Sequence, residues 1–277
     1  MLIYGDTMSN IIGIGGKNNF LIFLRKYLTM VIKEQVFIPF LNQERTLHIY
    51  RSDTKIKPTQ IIYMFDGHNL FYDHDATYGK SWGLKDYLDS HPCNLMVVGI
   101  ECNHEGNRRL CEFSPYNFYD SYWKDVTACG KEFSQWIINE LIPTIESHYQ
   151  LSIDSSKRYI GGSSMGGLMA LYMGATYPNI LTKSICVSPY IDHIYQPLLK
   201  DINASLVNNN EFFISFGGKE SDNTHNRLRY VEQITSIQSL LTYKNNRVFL
   251  YSKANGKHCE ACWEKETPIW MHYLNIE

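Results

Sequence analysis

Charge of one sign is the first thing this 277-residue sequence lacks: 26 Lys and Arg stand against 28 Asp and Glu, a formal net charge of −2. Binding to nucleic acid or to an anionic membrane needs a basic excess on one face, so neither partner is expected. Long apolar runs are also missing. The opening stretch "MLIYGDTMSNIIGIGGKNNFLIFLRKYLTM" places Arg25 and Lys26 soon after its best apolar run begins, and it carries no small-residue cleavage site. Its "GIGGKN" lacks the spacing and the Ser or Thr of a phosphate loop. Residues 1–29 are therefore expected to be a peripheral extension, with one domain over 30–277. Cysteines are few: seven, an odd number at irregular spacing, which fits a reduced, cytoplasmic protein. Cys259 and Cys262 have CxxC spacing in "KHCEACW", but no second ligand pair completes a site, so no metal is expected.

Hydrophobic residues make up 44% and charged residues 19%, enough to bury a sizeable core. There is no internal repeat and no low-complexity tract. After residue 30 short apolar runs alternate with longer helical periods. "QVFIPF" and "LHIYR" read as a hairpin joined near Asn42 and Gln43. "IIYMF", "LMVVGI", "RYIGG", "SICVS", "EFFISF" and "RVFLYS" are continuous apolar runs, the signature of strands covered on both faces. "KEFSQWIINELIPTIESHY" has helical periodicity with a kink expected at Pro143, and "SMGGLMALYMGATYP", "NRLRYVEQITSIQSLLTY" and "CEACWEKETPIWMHYL" supply further helices. The pattern predicts an α/β fold, a mainly parallel central sheet with helices on both faces and an amino-terminal antiparallel hairpin.

Within that frame "RYIGGSSMGGLMAL" follows a strand and opens a helix. Gly162-Ser163-Ser164-Met165-Gly166 fits GxSxG, in which a serine sits on a sharp strand-to-helix turn with its hydroxyl exposed at the carboxyl end of the sheet. The competing reading is a glycine-rich packing turn. Ser164 is the candidate nucleophile and Ser163 a buried neighbour. A serine hydroxyl needs a base, itself oriented by a carboxylate, and in α/β hydrolases these follow in the order acid, then histidine, on loops after late strands. His258, just beyond "RVFLYS", has the position of the base. Glu220 and Asp222, in "GGKESDN" after "EFFISF", both have the position of the acid, and Asp222 is also well placed to cap the next helix. His68, His74 and His104 lie in loops able to border the site.

Several separated blocks then resemble one family. "YMFDGHNLF", "VVGIECNHEGNRRLCEFSP", "ELIPTIESHY", "IGGSSMGGLMALYMGATYP", "FGGKE" and "GKHCEACW" occur in order from about residue 35 to the end, and they are similar to blocks of the esterase D type of esterase within the α/β-hydrolase superfamily. The resemblance implies an α/β-hydrolase fold, Ser164 as nucleophile and His258 as base. Its GTKE-like block favours Glu220 over Asp222, although Gly218 stands where the pattern often has threonine. It implies an oxyanion hole made by the backbone N–H groups of His68 and Met165, with Asp66 bracing the turn. Arg109 and Glu112 are expected either to pair at the rim or to be ordinary surface charge. The implied function is a serine carboxylic ester hydrolase acting through an acyl-enzyme, with no cofactor. An acyltransferase using the same residues and a catalytically silent binding module are the alternatives.

Only about twenty residues separate "SICVSPY" from "EFFISF", so no large cap domain is expected over the cleft. The substrate is expected to be a small-molecule ester. Aromatics of "NLFYDHDATYGKSWG" and "FSPYNFYDSYWK" line the cleft or the core, with Asn69 and Trp82 the residues expected to contact substrate. No heptad seam is present, and oligomeric state is not readable.

Overall fold

A computed structural model describes residues 30–52 and 57–276. The proposed extension over residues 1–29 lies outside the described residues. The chain opens with β1 (Val31–Ile38) and β2 (Gln43–Arg51), paired antiparallel. Asn42 turns between them in the left-handed region (φ 51°), a conformation asparagine tolerates better than most residues. Then follow β3 (Gln60–Phe65), α1 (Leu84–Ser90), β4 (Leu95–Ile100) and α2 (Arg108–Glu112). A small hairpin of β5 (Phe118–Asp120) and β6 (Lys124–Val126) precedes the helical run α3 (Gly130–Trp136) and α4 (Ile142–His148). The second half comprises β7 (Arg158–Ser163), α5 (Met165–Thr176), β8 (Lys183–Val187), α6 (Tyr195–Ala204), β9 (Glu211–Gly217), α7 (Thr224–Tyr243) and β10 (Arg247–Lys253). It ends in α8 (Glu260–Trp263) and α9 (Thr267–Tyr273).

The strand order is β1-β2-β4-β3-β7-β8-β9-β10, parallel from β4 onward, with β2 antiparallel to both of its neighbours. Central strands are buried on both faces, and the two-residue period divides them between two cores. Ile61, Tyr63 and Phe65 pack on one side with α3, α5 and α7, while Ile62 and Met64 pack on the other with Leu88, Trp263 and Trp270. This explains why the strands read as unbroken apolar runs. Helix α5 is buried over its whole circumference, which its small and straight-chain residues permit.

Two expectations need adjustment. The kink expected at Pro143 is replaced by an irregularity one turn earlier: Ile137–Leu141 is π-helical, joining α3 to α4, and Pro143 sits in the first turn of α4. The β5-β6 hairpin lies in the aromatic stretch that was read only as cleft or core. Among the described residues no helix is long and apolar enough to cross a membrane. All seven cysteines are free thiols.

Candidate active site

The carboxyl ends of the parallel strands carry the candidate residues. Ser164 leaves β7 with φ 56° and ψ −118°, a conformation that a residue with a side chain adopts only when its surroundings impose it. Those constraints are visible: Ser164 N donates to Val187 O (3.0 Å), while Ser164 O accepts from Leu168 N (2.9 Å) and Tyr190 N (3.0 Å). Gly166 is required by the close approach of β3, because a Cβ there would stand 2.7 Å from Phe65 Cβ. The turn leaves Ser164 partly exposed at the amino terminus of α5, where the helix dipole favours developing negative charge. Ser163 is buried, as expected.

Glu220 meets His258. Its Oε2 is 3.0 Å from His258 Nδ1, and its Oε1 accepts from Gly217 N (2.5 Å) and Ser188 Oγ (2.6 Å). Ser188 Oγ in turn accepts from Trp263 Nε1 (3.0 Å), and the Trp263 ring stands edge-on to the imidazole with centroids 5.0 Å apart. The acid loop is tied to the histidine loop by Gly218 N to Lys253 O and Lys219 N to Gly256 O, both 2.9 Å. Gly218 replaces the usual threonine for a local reason: a Cβ there would lie 2.5 Å from Ala254 O. Asp222 is exposed, makes no contact with the imidazole, and does not cap α7 either. That cap is Asn223, whose side chain accepts from His225 N and Asn226 N.

Ser164 and His258 line one cavity of about 610 Å³ together with His68, Asn69, Tyr78, Cys102, His104, Arg109, Trp123 and Glu260. Among the described residues no hydrogen bond joins Ser164 Oγ to the ring. His68 lies in the single turn Gly67–Asn69 and Met165 is the first residue of α5, positions whose N–H groups have no partner within their own helix. Asn69 is on the cleft wall, with its Oδ1 fixed by Thr77 N at 2.9 Å. Trp82 is not: it is 2% exposed and packs behind the site against Trp263 at 6.2 Å, which corrects its expected role in binding. Tyr78 and Trp123 occupy the rim instead. His104 borders the cleft, whereas His74 lies outside it.

Arg109 does not pair with Glu112. It grips Asp66 through two hydrogen bonds of 2.7 Å, and Glu112 is held by Arg45 at 2.6 Å. Burial pushes the Asp66 carboxyl up, but the Arg109 charge outweighs it and holds the pKa below the ordinary carboxylate range. Asp66 thereby fixes the turn (φ 57°) that presents His68. Burial lowers the His68 imidazole to a pKa of about 4, so the ring is neutral near the cleft at physiological pH. Burial raises the carboxyl of Glu260, on the same wall. Sequence reasoning missed Ser188 and Trp263 as supports of Glu220. Trp263 was visible in "GKHCEACW", while Ser188 carried no signal beyond its place at the end of a strand.

Comparison with known proteins agrees with this architecture. The chain is 25% identical over 148 residues to the uncharacterized protein YbbA of Bacillus subtilis (strain 168), a match covering 51% of this chain and 54% of that one. It is 22% identical over 241 residues to the uncharacterized protein YjcH of the same organism, covering 84% of this chain and 92% of that one. The crystal structure of an IroE-like serine hydrolase from Shewanella oneidensis superposes with a TM-score of 0.68 at 15% identity, over 89% of this chain and 80% of that one, and shares the fold. A family model described as "Putative esterase" matches residues 38–268. On this match and on its α/β-hydrolase fold, the chain belongs to the esterase family so described.

Proposed function

We propose that this protein is a serine carboxylic ester hydrolase working through an acyl-enzyme on Ser164. The observation that carries the reading is the contact of Glu220 with Nδ1 of His258, beside Ser164 in one open cleft. A carboxylate at Nδ1 keeps the proton on that nitrogen and leaves Nε2 as the base. Nε2 takes the Ser164 proton as Oγ attacks the ester carbonyl, and the N–H groups of His68 and Met165 receive the oxyanion. His258 then passes its proton to the departing alcohol, and water, activated in the same way, releases the acid. The serine-imidazole hydrogen bond forms in the substrate complex, as is common in such sites.

The substrate is a small-molecule ester. Tyr78 and Trp123 offer flat faces for an aryl or hydrophobic acyl group. A second hollow of about 620 Å³, bounded by Ile191, Phe216, Tyr230 and Val231, lies on the other side of His258 and gives room for a further apolar arm. Free thiols throughout fit the reducing cytoplasm.

A fluorophosphonate probe together with a panel of p-nitrophenyl, feruloyl and thioester substrates tests the proposal. The wild type is expected to be labelled and to hydrolyse at least one class, and Ser164→Ala to do neither. Full hydrolysis by Ser164→Ala would overturn it.

A further inference from the structure

The loops after β3 and β4, adjacent parallel strands, bring His68, Cys102 and His104 together on the cleft wall. One donor atom from each lies within 4.8 Å of the others, and the two imidazoles meet edge to face with centroids 4.6 Å apart. His68 is 4% exposed; its Nε2 is engaged by Thr77 Oγ1 at 2.9 Å, and its buried Nδ1 has no hydrogen-bond partner among the described residues. His104 Nε2 is engaged by Glu101 Oε1 at 2.8 Å, which leaves Nδ1 as its free donor. Glu101 is anchored in turn by His48 Nε2 at 3.3 Å. An oxygen partner on the far nitrogen is what orients a metal-bound histidine and fixes its tautomer. Ester hydrolysis by Ser164 uses neither this thiol nor the second imidazole.

We infer that His68 Nδ1, Cys102 Sγ and His104 Nδ1 form a site for a divalent cation of the Zn²⁺ type, and that an ion held there closes the cleft to esters. Two imidazoles and a thiolate suit zinc, with the fourth position left to water. Tetrahedral zinc places N and N about 3.3 Å apart and N and S about 3.6 Å apart. The donors must therefore draw in, and His104, more than half exposed on its loop, is the one free to move. Binding forms the sulfur–metal bond as Cys102 releases its proton to solvent. The ion stands against His68 in the cavity that also holds Ser164 and His258. This blocking consequence rests on the esterase reading; the binding does not.

Titration of the reduced, chelator-treated full chain with Co²⁺, read by thiolate-to-cobalt charge-transfer absorption, tests the site independently of activity. Wild type and Ser164→Ala are both expected to show the band at one equivalent, with Zn²⁺ displacing it. Cys102→Ser should lose the band, and the exposed-site variant His104→Ala should weaken cobalt binding by about tenfold or more. The double variant Cys259→Ser/Cys262→Ser should keep it. No band in wild type, a band unchanged in both Cys102→Ser and His104→Ala, or a band abolished by the Cys259/Cys262 change overturns the site. Zn²⁺ should also inhibit wild-type ester hydrolysis, and His104→Ala should need about tenfold more Zn²⁺. Binding without inhibition overturns the blocking role alone.

Discussion

Replacing Glu220 by glutamine separates the acid at 220 from its neighbour at 222. In the native site Oε1 accepts two hydrogen bonds, from Gly217 N and Ser188 Oγ, and Oε2 faces His258 Nδ1. A glutamine keeps its carbonyl oxygen toward the two donors, so its NH₂ group turns to the imidazole. Nδ1 must then accept, the proton moves to Nε2, and the ring can no longer take the proton of Ser164. A carboxylate-to-amide exchange of this kind traps the wrong tautomer and lowers kcat by about 10⁴, which is about 5.5 kcal/mol of barrier. The side chain keeps its size, so KM and thermal stability should change little. Asp222→Asn, at an exposed position with no contact to the ring, should stay within about twofold of wild type, as surface changes usually do. The assay is steady-state hydrolysis of a p-nitrophenyl ester by the three proteins, with Tm measured in parallel. If Glu220→Gln keeps more than a tenth of the wild-type kcat, or Asp222→Asn loses as much, the assignment of the acid is wrong.

Trp82→Ala should destabilise the fold by about 3–5 kcal/mol in chemical denaturation, because it empties a buried site behind Trp263. Tyr78→Ala, at a residue 82% exposed on the rim, should leave stability within about 0.5 kcal/mol and instead raise KM for aryl esters. An intact Trp82→Ala protein with an altered KM would return Trp82 to the binding surface. Glu266 is 3% exposed, and burial raises its pKa from 4.5 to about 7. The folded protein therefore binds this proton more tightly than the unfolded chain does. The stability it gives is complete below 4.5 and is lost as pH rises through about 7. Glu266→Gln should then be more stable than wild type by about 3 kcal/mol at pH 9, with the difference vanishing near pH 4. A difference independent of pH would refute the raised pKa.

Much of the fold is legible along the chain. Six apolar runs became the parallel strands with ends displaced by a residue or so; five are largely buried on both faces and have little choice but to be apolar, whereas β10, at the sheet edge, is only partly covered. The strand-turn-helix around Ser164 was equally visible, since its glycines answer to steric limits within a few residues. The short helices α1 and α2 and the β5-β6 hairpin were not, for they are too brief to establish a period and are held by what they pack against; the ten-residue α6, with Leu198 and Ile202 buried four apart, carried a period that sequence reasoning missed. The same divide runs through the site. Position after a late strand marked Glu220 and Asp222 alike, and spacing could not tell Trp82 in the core from Tyr78 at the rim.

By itself the sequence determined the strand and helix alternation, the turn at Ser164 and the loop that carries His258, all set by local patterns of apolar and glycine residues. Only the tertiary structure decided that Glu220 meets the imidazole, that Ser188 and Trp263 seat it, that Arg109 holds Asp66, and that His68, Cys102 and His104 share one wall. Apart from Cys102 and His104, these groupings join residues tens of positions apart in the chain, and their distances depend on how neighbouring strands end, which no local pattern records.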